Sequence, residues 1–337
     1  MNLCKNILNQ EAVMSSKKSD NYIKKTRVAT LSVASNSILV LIKFIVGIMI
    51  GSVSIISEAI HSGVDLLAAV IALFSVRTSG IPADKQHPWG HGKIENISGT
   101  IEAILIFLAA AWIIYEAIHK LMNPTVVGET SLGVIVMLIS VVVNIIVSHN
   151  LFKVGKETDS VALMADAWHL RTDVYTSGGV MIGMIALFID DLVKLPFNLH
   201  WVDPVAAMVV ALMIIKAAFQ LTRESAKDLL DVGLPPSETN WIHELVIMHR
   251  PQVLGLHQLR TRKAGHFRFV EFHLMVDPYM TVEASHDITD DLSMHISEHF
   301  PDTSVTIHVE PCNGKCIPKC IEGCFLNESE RRKQFKA

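Results

Sequence analysis

The sequence predicts a membrane protein in two parts: a membrane all-α bundle of six transmembrane helices, then a small cytoplasmic α+β domain of order αββαβ. Three observations predict it. Hydrophobic residues make up 50% of the 337 and charged residues only 18%, with a mean hydropathy of +0.38, whereas soluble domains carry about 25% charged residues. Six apolar runs, at about 27–50, 57–78, 98–121, 131–152, 160–188 and 203–223, are each long enough to cross about 30 Å of hydrocarbon as a helix. After Asp231 the composition changes, and Gly233-Leu234-Pro235-Pro236 marks a hinge into shorter elements.

Taken in order, residues 1–25 are polar and Lys-rich and read as a basic cytoplasmic tail. The run that follows has no evident small-residue cleavage site and is not read as a signal peptide. Residues 26–230 hold the six spans. Helices are the expected form because lipid forces the backbone to bond to itself. Lys and Arg set the orientation. Lys17, Lys18, Lys24, Lys25 and Arg27 precede span 1; Arg77, Lys85 and Lys93 separate spans 2 and 3; Lys153 and Lys156 separate spans 4 and 5; Arg223 and Lys227 follow span 6. The positive-inside rule then puts both termini in the cytoplasm. Residues 231–311 predict helices at 237–249 and 281–299 and strands at 254–263, 267–277 and 304–310. So short a domain has a small core, and dimerisation or bound metal is expected to support it. Residues 312–337 form a tail that starts with cysteines and ends charged.

A net charge of −4 without a basic stripe speaks against nucleic acid as a partner. Sixteen histidines make metal an early expectation. Four of the five cysteines crowd the C-terminus, so no disulfide framework runs through the fold, as expected at a reducing cytosolic face.

Two stretches carry the sharpest chemistry. His61 and Asp65 lie four residues apart in span 2, and His169 and Asp173 repeat that spacing in span 5. On a helix such residues share a face. Two facing helices would therefore offer two nitrogens and two oxygens, a tetrahedral set suited to a divalent cation such as zinc. Ionisable groups in mid-membrane cost about 2.5–3.5 kcal/mol each, and a cation compensates them; hydrogen bonding across helices without a ligand is the blander possibility. Glu58 and Asp166, one turn earlier on each helix, could line an access path, or could simply sit near the span ends. Arg171 is expected to pair with an acid.

In the loop between spans 2 and 3, Asp84, His87 and His91 could bind metal with an open fourth position, or could be merely solvated. In the α+β domain, His257, His273 and His308 sit in or beside predicted strands. Glu310 shares a strand face with His308, and His286 lies on the second helix; metal binding and ordinary surface histidines both fit these residues. Cys312, Cys316, Cys320 and Cys324 recur every four residues, with Gly314, Pro318 and Gly323 between them opposing a regular helix. A metal-collecting tail and a tail of reduced thiols are equally compatible with that spacing.

At these residues the chain resembles the cation diffusion facilitator family over about residues 25–311. The His61, Asp65, His169, Asp173 set is similar to that family's zinc-type transport site. Asp84, His87 and His91 resemble its loop site. His257, His273, His286, His308 and Glu310 fall where it binds metal at the dimer interface of a ferredoxin- or metallochaperone-like domain. The resemblance implies a homodimeric, non-enzymatic exporter in the lipid bilayer of a bacterial inner membrane. It would exchange Zn²⁺ for protons and bind regulatory zinc in its cytoplasmic domain. Cd²⁺, Co²⁺ or Fe²⁺ are possible alternative cargoes, and an Fe²⁺ or Mn²⁺ exporter is the nearest rival. A membrane metalloenzyme would need a catalytic base beside the metal, and all four intramembrane candidates read as ligands. A non-transporting metal sensor would keep the ligands and lack flux. Nothing transfers from the family onto the N-terminal extension or the cysteine tail.

Overall fold

A computed structural model describes residues 2–50, 53–122, 131–193, 202–314, 316 and 318–334. It divides into two compact units: residues 20–229, and residues 230–337 together with 1–19.

The first unit is built from six long helices: α1 (Asn2–Ile50), α2 (Val53–Ser79), α3 (Lys93–Met122), α4 (Ser131–Glu157), α5 (Val161–Val193) and α6 (Val202–Leu229). Within the described residues, five stretches are long and apolar enough to cross a membrane: Asp20–Met49, Ala59–Ser79, Lys93–His119, Leu138–Glu157 and Pro204–Leu229. The span expected at 160–188 corresponds to α5 (Val161–Val193), which is not among those five. One difference concerns the N-terminus. The stretch read as a tail is helical from Asn2 onward. It contains neither Pro nor Gly, so nothing in it stops a helix that the apolar run has already nucleated.

The helices touch through small residues. One cluster joins Ala29, Val76, Leu151, Ala162 and Ala167, and another joins Ala103, Ala110, Ala165, Ile214 and Ala218. Alanines let helix backbones approach closely, which matters where lipid removes any hydrophobic drive between helices. The outer faces are apolar and open: Phe44, Phe74, Leu108, Trp112, Leu212 and Phe219 are all exposed, the surface a bilayer covers. Helix α2 packs on both α3 and α5, and this brings the two His/Asp pairs into range of each other.

One end of the bundle is tied by a buried carboxylate. Glu95, in the first turn of α3, accepts from Lys25 Nζ of α1 at 3.1 Å, from Ser79 Oγ of α2 at 2.7 Å, and from Ser160 Oγ just before α5 at 2.6 Å. Lys25 is 2% exposed and Glu95 0%. Removing one member of a buried pair strands the other charge, at a cost of about 3–5 kcal/mol. Glu95→Gln should therefore lower the melting temperature of the detergent-purified protein sharply, and adding Lys25→Met should recover part of the loss. Equal melting of wild type and Glu95→Gln would show that the tie carries no stability.

The second unit has the order α7 (Pro236–Ile247), β1 (Val253–Ala264), β2 (Phe267–Val276), α8 (Val282–His299) and β3 (Thr303–Pro311), then α9 (Pro318–Glu322) and α10 (Glu328–Gln334). The five elements read from the sequence are all present. Pro236 opens α7, where a missing N–H costs nothing. Thr281 caps α8 by accepting from the Ala284 N–H at 3.1 Å. The strands run β1-β2-β3, with β1 and β2 antiparallel and β2 and β3 parallel. Gly265, at φ 60°, makes the tight turn between β1 and β2 in a region that suits glycine. Val270, Phe272, Leu274 and Val276 alternate into the core, where Ile288, Leu292 and Ile296 of α8 form one buried stripe. The other sheet face is left to Glu271, His273, His308 and Glu310.

Candidate metal centres

In the bundle, His169 Nε2 lies 3.2 Å from Asp65 Oδ1, across the α2–α5 packing. His61, Asp65 and Asp173 offer ligand atoms within 4.8 Å of one another. Ligands on one tetrahedral zinc, with bonds of about 2.0–2.1 Å, stand roughly 3.3 Å apart. The His169–Asp65 pair has that spacing, and His61, Asp65 and Asp173 lie within 4.8 Å of one another. Asp65 and His169 are each 5% exposed, whereas His61 lies open on the flank of α2. The structure thus groups His61, Asp65 and Asp173 and sets His169 against Asp65, so the four residues singled out from spacing are linked through Asp65. Helical periodicity supplies each pair, and helix packing joins the two.

Three neighbours flank these residues; Lys43 and Glu102 were not foreseen there, and Asp166 was read as lining an access path or sitting near a span end. Lys43 Nζ of α1 donates to Ser62 Oγ at 2.7 Å, beside His61, so this intraspan lysine is buried against a hydroxyl. Glu102 is fully buried on α3, and Ser98 Oγ donates to its Oε1 at 3.1 Å. Asp166 is fully buried too, and neither its two oxygens nor Glu102 Oε2 has a hydrogen-bond partner among the described residues. The missed signal for Glu102 was an acid within an apolar run, seven residues after Glu95 and so on the same helix face. Arg171, expected against an acid, has its guanidinium 5.7 Å from the centroid of the Phe152 ring. The Glu58 side chain lies outside the described residues.

In the loop, Asp84 Oδ1 accepts from the backbone N–H groups of Gln86 at 2.8 Å and His87 at 2.6 Å. The His87 bond is the largest influence on Asp84, and it holds that carboxyl below the usual range. His87 Nδ1 is 3.3 Å from Asp84 Oδ1 and His91 Nε2 is 3.6 Å from Oδ2. All three residues offer ligand atoms within 4.8 Å of one another. Asp84 and His87 are exposed, so this is an open surface cluster.

On the open sheet face, pairing aligns His257 with His273 and His273 with His308, one histidine from each strand. A bulge between His257 and Arg260, with Gln258 at φ 53°, re-aims β1 at that point. Glu310 draws the row together. It lies 2.9 Å from His257 Nε2, 2.8 Å from His273 Nδ1 and 3.6 Å from His308 Nε2. Burial works against its charge, yet the hydrogen bonds and charge of His273 and His257 hold it below the ordinary carboxylate range. His257, His273 and Glu310 offer ligand atoms within 4.8 Å; His308 sits at the rim, 63% exposed. His286 does not join them. It is 70% exposed on α8 and faces Asp290 at 3.5 Å, because α8 covers the opposite face of the sheet.

A membrane helical bundle with converging imidazoles and carboxylates, followed by an α+β domain with a His/carboxylate face, defines a metal-cation transporter. Residues 29–230 match the cation efflux transmembrane domain, and residues 234–312 match the cytoplasmic domain of cation efflux proteins. The chain belongs to the cation diffusion facilitator family, and is an integral membrane transporter of divalent cations, not an enzyme. It is 34% identical to the uncharacterized transporter sll1263 of Synechocystis over 77% of this chain and 82% of that one. It is 31% identical to the cation-efflux pump FieF of Citrobacter koseri over 86% of this chain and 93% of that one. The metal-bound C-terminal domain of the CzcD transporter from Thermotoga maritima is 30% identical, covering 23% of this chain and 94% of that domain, with a TM-score of 0.21.

Proposed function

We propose that this chain exports Zn²⁺ from the cytoplasm in exchange for protons, as a homodimer in a bacterial inner membrane with both termini cytoplasmic. The observation that carries this reading is the approach of His169 to Asp65, with His61 and Asp173 beside them. Two imidazoles and two carboxylates suit Zn²⁺ and disfavour Mn²⁺; Cd²⁺, Co²⁺ and Fe²⁺ are close enough in preference to compete. Metal binds neutral imidazole and ionised carboxylate, so it competes with protons for the same atoms. An unperturbed imidazole titrates at about 6.5, within reach of a physiological proton gradient. Zinc arriving from the cytoplasm displaces protons, and protons arriving from outside displace zinc. Alternation between the two openings needs only that each ligand prefer one state. Asp166, with both oxygens, and Glu102, with Oε2, offer buried carboxylate oxygens without hydrogen-bond partners among the described residues, which supports a waiting position on the inward path.

In the α+β domain, His257, His273 and Glu310 would hold regulatory metal, with His308 at the rim. Metal there would link all three strands and brace a dimer across the open sheet face. The cluster of Asp84, His87 and His91 would hold a further ion at the membrane surface.

The test is a metal panel in proteoliposomes with internal pH recorded. Zn²⁺ flux should rise with an opposing proton gradient and move protons the other way. Flux indifferent to collapse of the gradient overturns antiport; Fe²⁺ or Mn²⁺ outcompeting Zn²⁺ overturns the choice of cargo.

A further inference from the structure

Three of the four tail cysteines lie beyond the matched family domains, and Cys312 is their last residue; the transport reading assigns none of the four a role. The chain nevertheless folds them onto the sheet. The Cys312 N–H donates to the Val276 carbonyl at 2.9 Å, extending β3 by one residue. The tail then turns at Gly314, at φ 73°, passes through the short helix α9, and returns to the outer edge of β1. There the Leu256 N–H donates to Gly323 O and the Phe325 N–H to Leu254 O, both at 2.9 Å, and Cys324 bridges to Gly255.

This docking is specific in sequence. A Cβ on Gly323 would collide with the Leu256 carbonyl oxygen, and a Cβ on Gly255 would stand 2.7 Å from Gly323 O. Phe325 packs against the domain core and meets the His243 ring edge-on at 5.6 Å. Because Val253 pairs with Val276, and Val276 with Pro311, Cys312 and Cys324 meet at the same end of the sheet. All four thiols are free. Cys320 feels the other three electrostatically, Cys312 feels Cys324 and Cys316, and Arg331 lends Cys320 a positive neighbour.

Core packing explains Cys312, which is 7% exposed. It does not explain Cys316, which is exposed, or Cys320 and Cys324, which are half-buried. Thiols brought to one end of a sheet are a soft donor set, and a thiophilic cation is what would hold them together as thiolates. We propose that Cys312, Cys316, Cys320 and Cys324 form a tetrathiolate site for a thiophilic d10 cation of the Zn²⁺ or Cd²⁺ class, which locks the tail onto the edge of β1. Each sulfur releases its proton to solvent as it ligates, so capture strengthens as pH rises. Among the described residues no three of the thiols have their sulfurs within 4.8 Å of one another, so binding has to draw the exposed Cys316 inward. This site does not depend on the transport reading.

The experiment uses full-length protein in detergent with a phosphine reductant, titrated with Co²⁺. Wild type should bind one more Co²⁺ than Cys312→Ser/Cys316→Ser/Cys320→Ser/Cys324→Ser, with a thiolate-to-cobalt charge-transfer band absent from the variant. Zn²⁺ should displace the cobalt and protect the thiols from alkylation. Cys316→Ser alone, at an exposed position that packing does not need, should weaken Co²⁺ binding at this site by about tenfold or more. Equal stoichiometry, no charge-transfer band, or full thiol reactivity in saturating Zn²⁺ overturns the site. The readout is binding, so its failure leaves zinc export standing, and loss of export leaves the cysteine site standing.

Discussion

Asp65→Ala is expected to abolish metal transport while leaving the bundle folded. Asp65 is the residue the other three share. It receives His169 at 3.2 Å and lies in one cluster with His61 and Asp173. Its removal takes away a carboxylate donor and leaves a buried imidazole without its partner. Losing only an outer hydrogen-bond partner of a metal ligand costs about 10–100-fold in affinity, so losing a ligand should cost more. Zn²⁺ flux should fall to the level of empty liposomes, and calorimetry should show one fewer intramembrane site. An unchanged gel-filtration profile separates this from unfolding. Full flux in Asp65→Ala would remove the convergent site from the account.

Glu310→Ala should produce the second-largest change, confined to the α+β domain. Glu310 serves His257 and His273 at once, at 2.9 and 2.8 Å. Without it, three aligned imidazoles remain and no anion offsets a bound cation. Metal binding at this sheet face should disappear, and dimerisation and the zinc dependence of the rate should fall, with the intramembrane and cysteine sites intact. Unaltered dimerisation and zinc dependence would show that this face has no sensing role. A pH effect follows as well. Because its folded-state pKa is depressed, Glu310 contributes stability that is complete above the usual carboxylate range and lost as pH falls through the depressed value. In metal-free protein, wild type should lose melting temperature on acidification over that window more steeply than Glu310→Gln.

What the sequence made legible was whatever repeats locally. The His61/Asp65 and His169/Asp173 pairs were visible because helical period puts residues four apart on one face. The five elements of the α+β domain were visible from a change of composition and the turn at Gly265. Long-range partners had no such signature. Nothing near Glu95 announces Lys25, Ser79 and Ser160 as donors, since those contacts are set by helix packing across distant segments. His286 was grouped with the sheet histidines on likeness alone; helix α8 covers the other face, so within one protomer it stands apart from them, beside Asp290. The return of Cys324 to β1 was hidden for the same reason. A strand-like pairing of three residues gives no period to read, and only Gly255 and Gly323 hint at close approach.

The carboxylate of Glu95 acts as a rivet through four segments of the bundle. At that end the segments can swivel, but parting them would strand a charge where water does not reach. Any rearrangement that opens the His/Asp site to the opposite side must then be led by the far ends of the helices, splaying like the tines of a fork from a fixed stem.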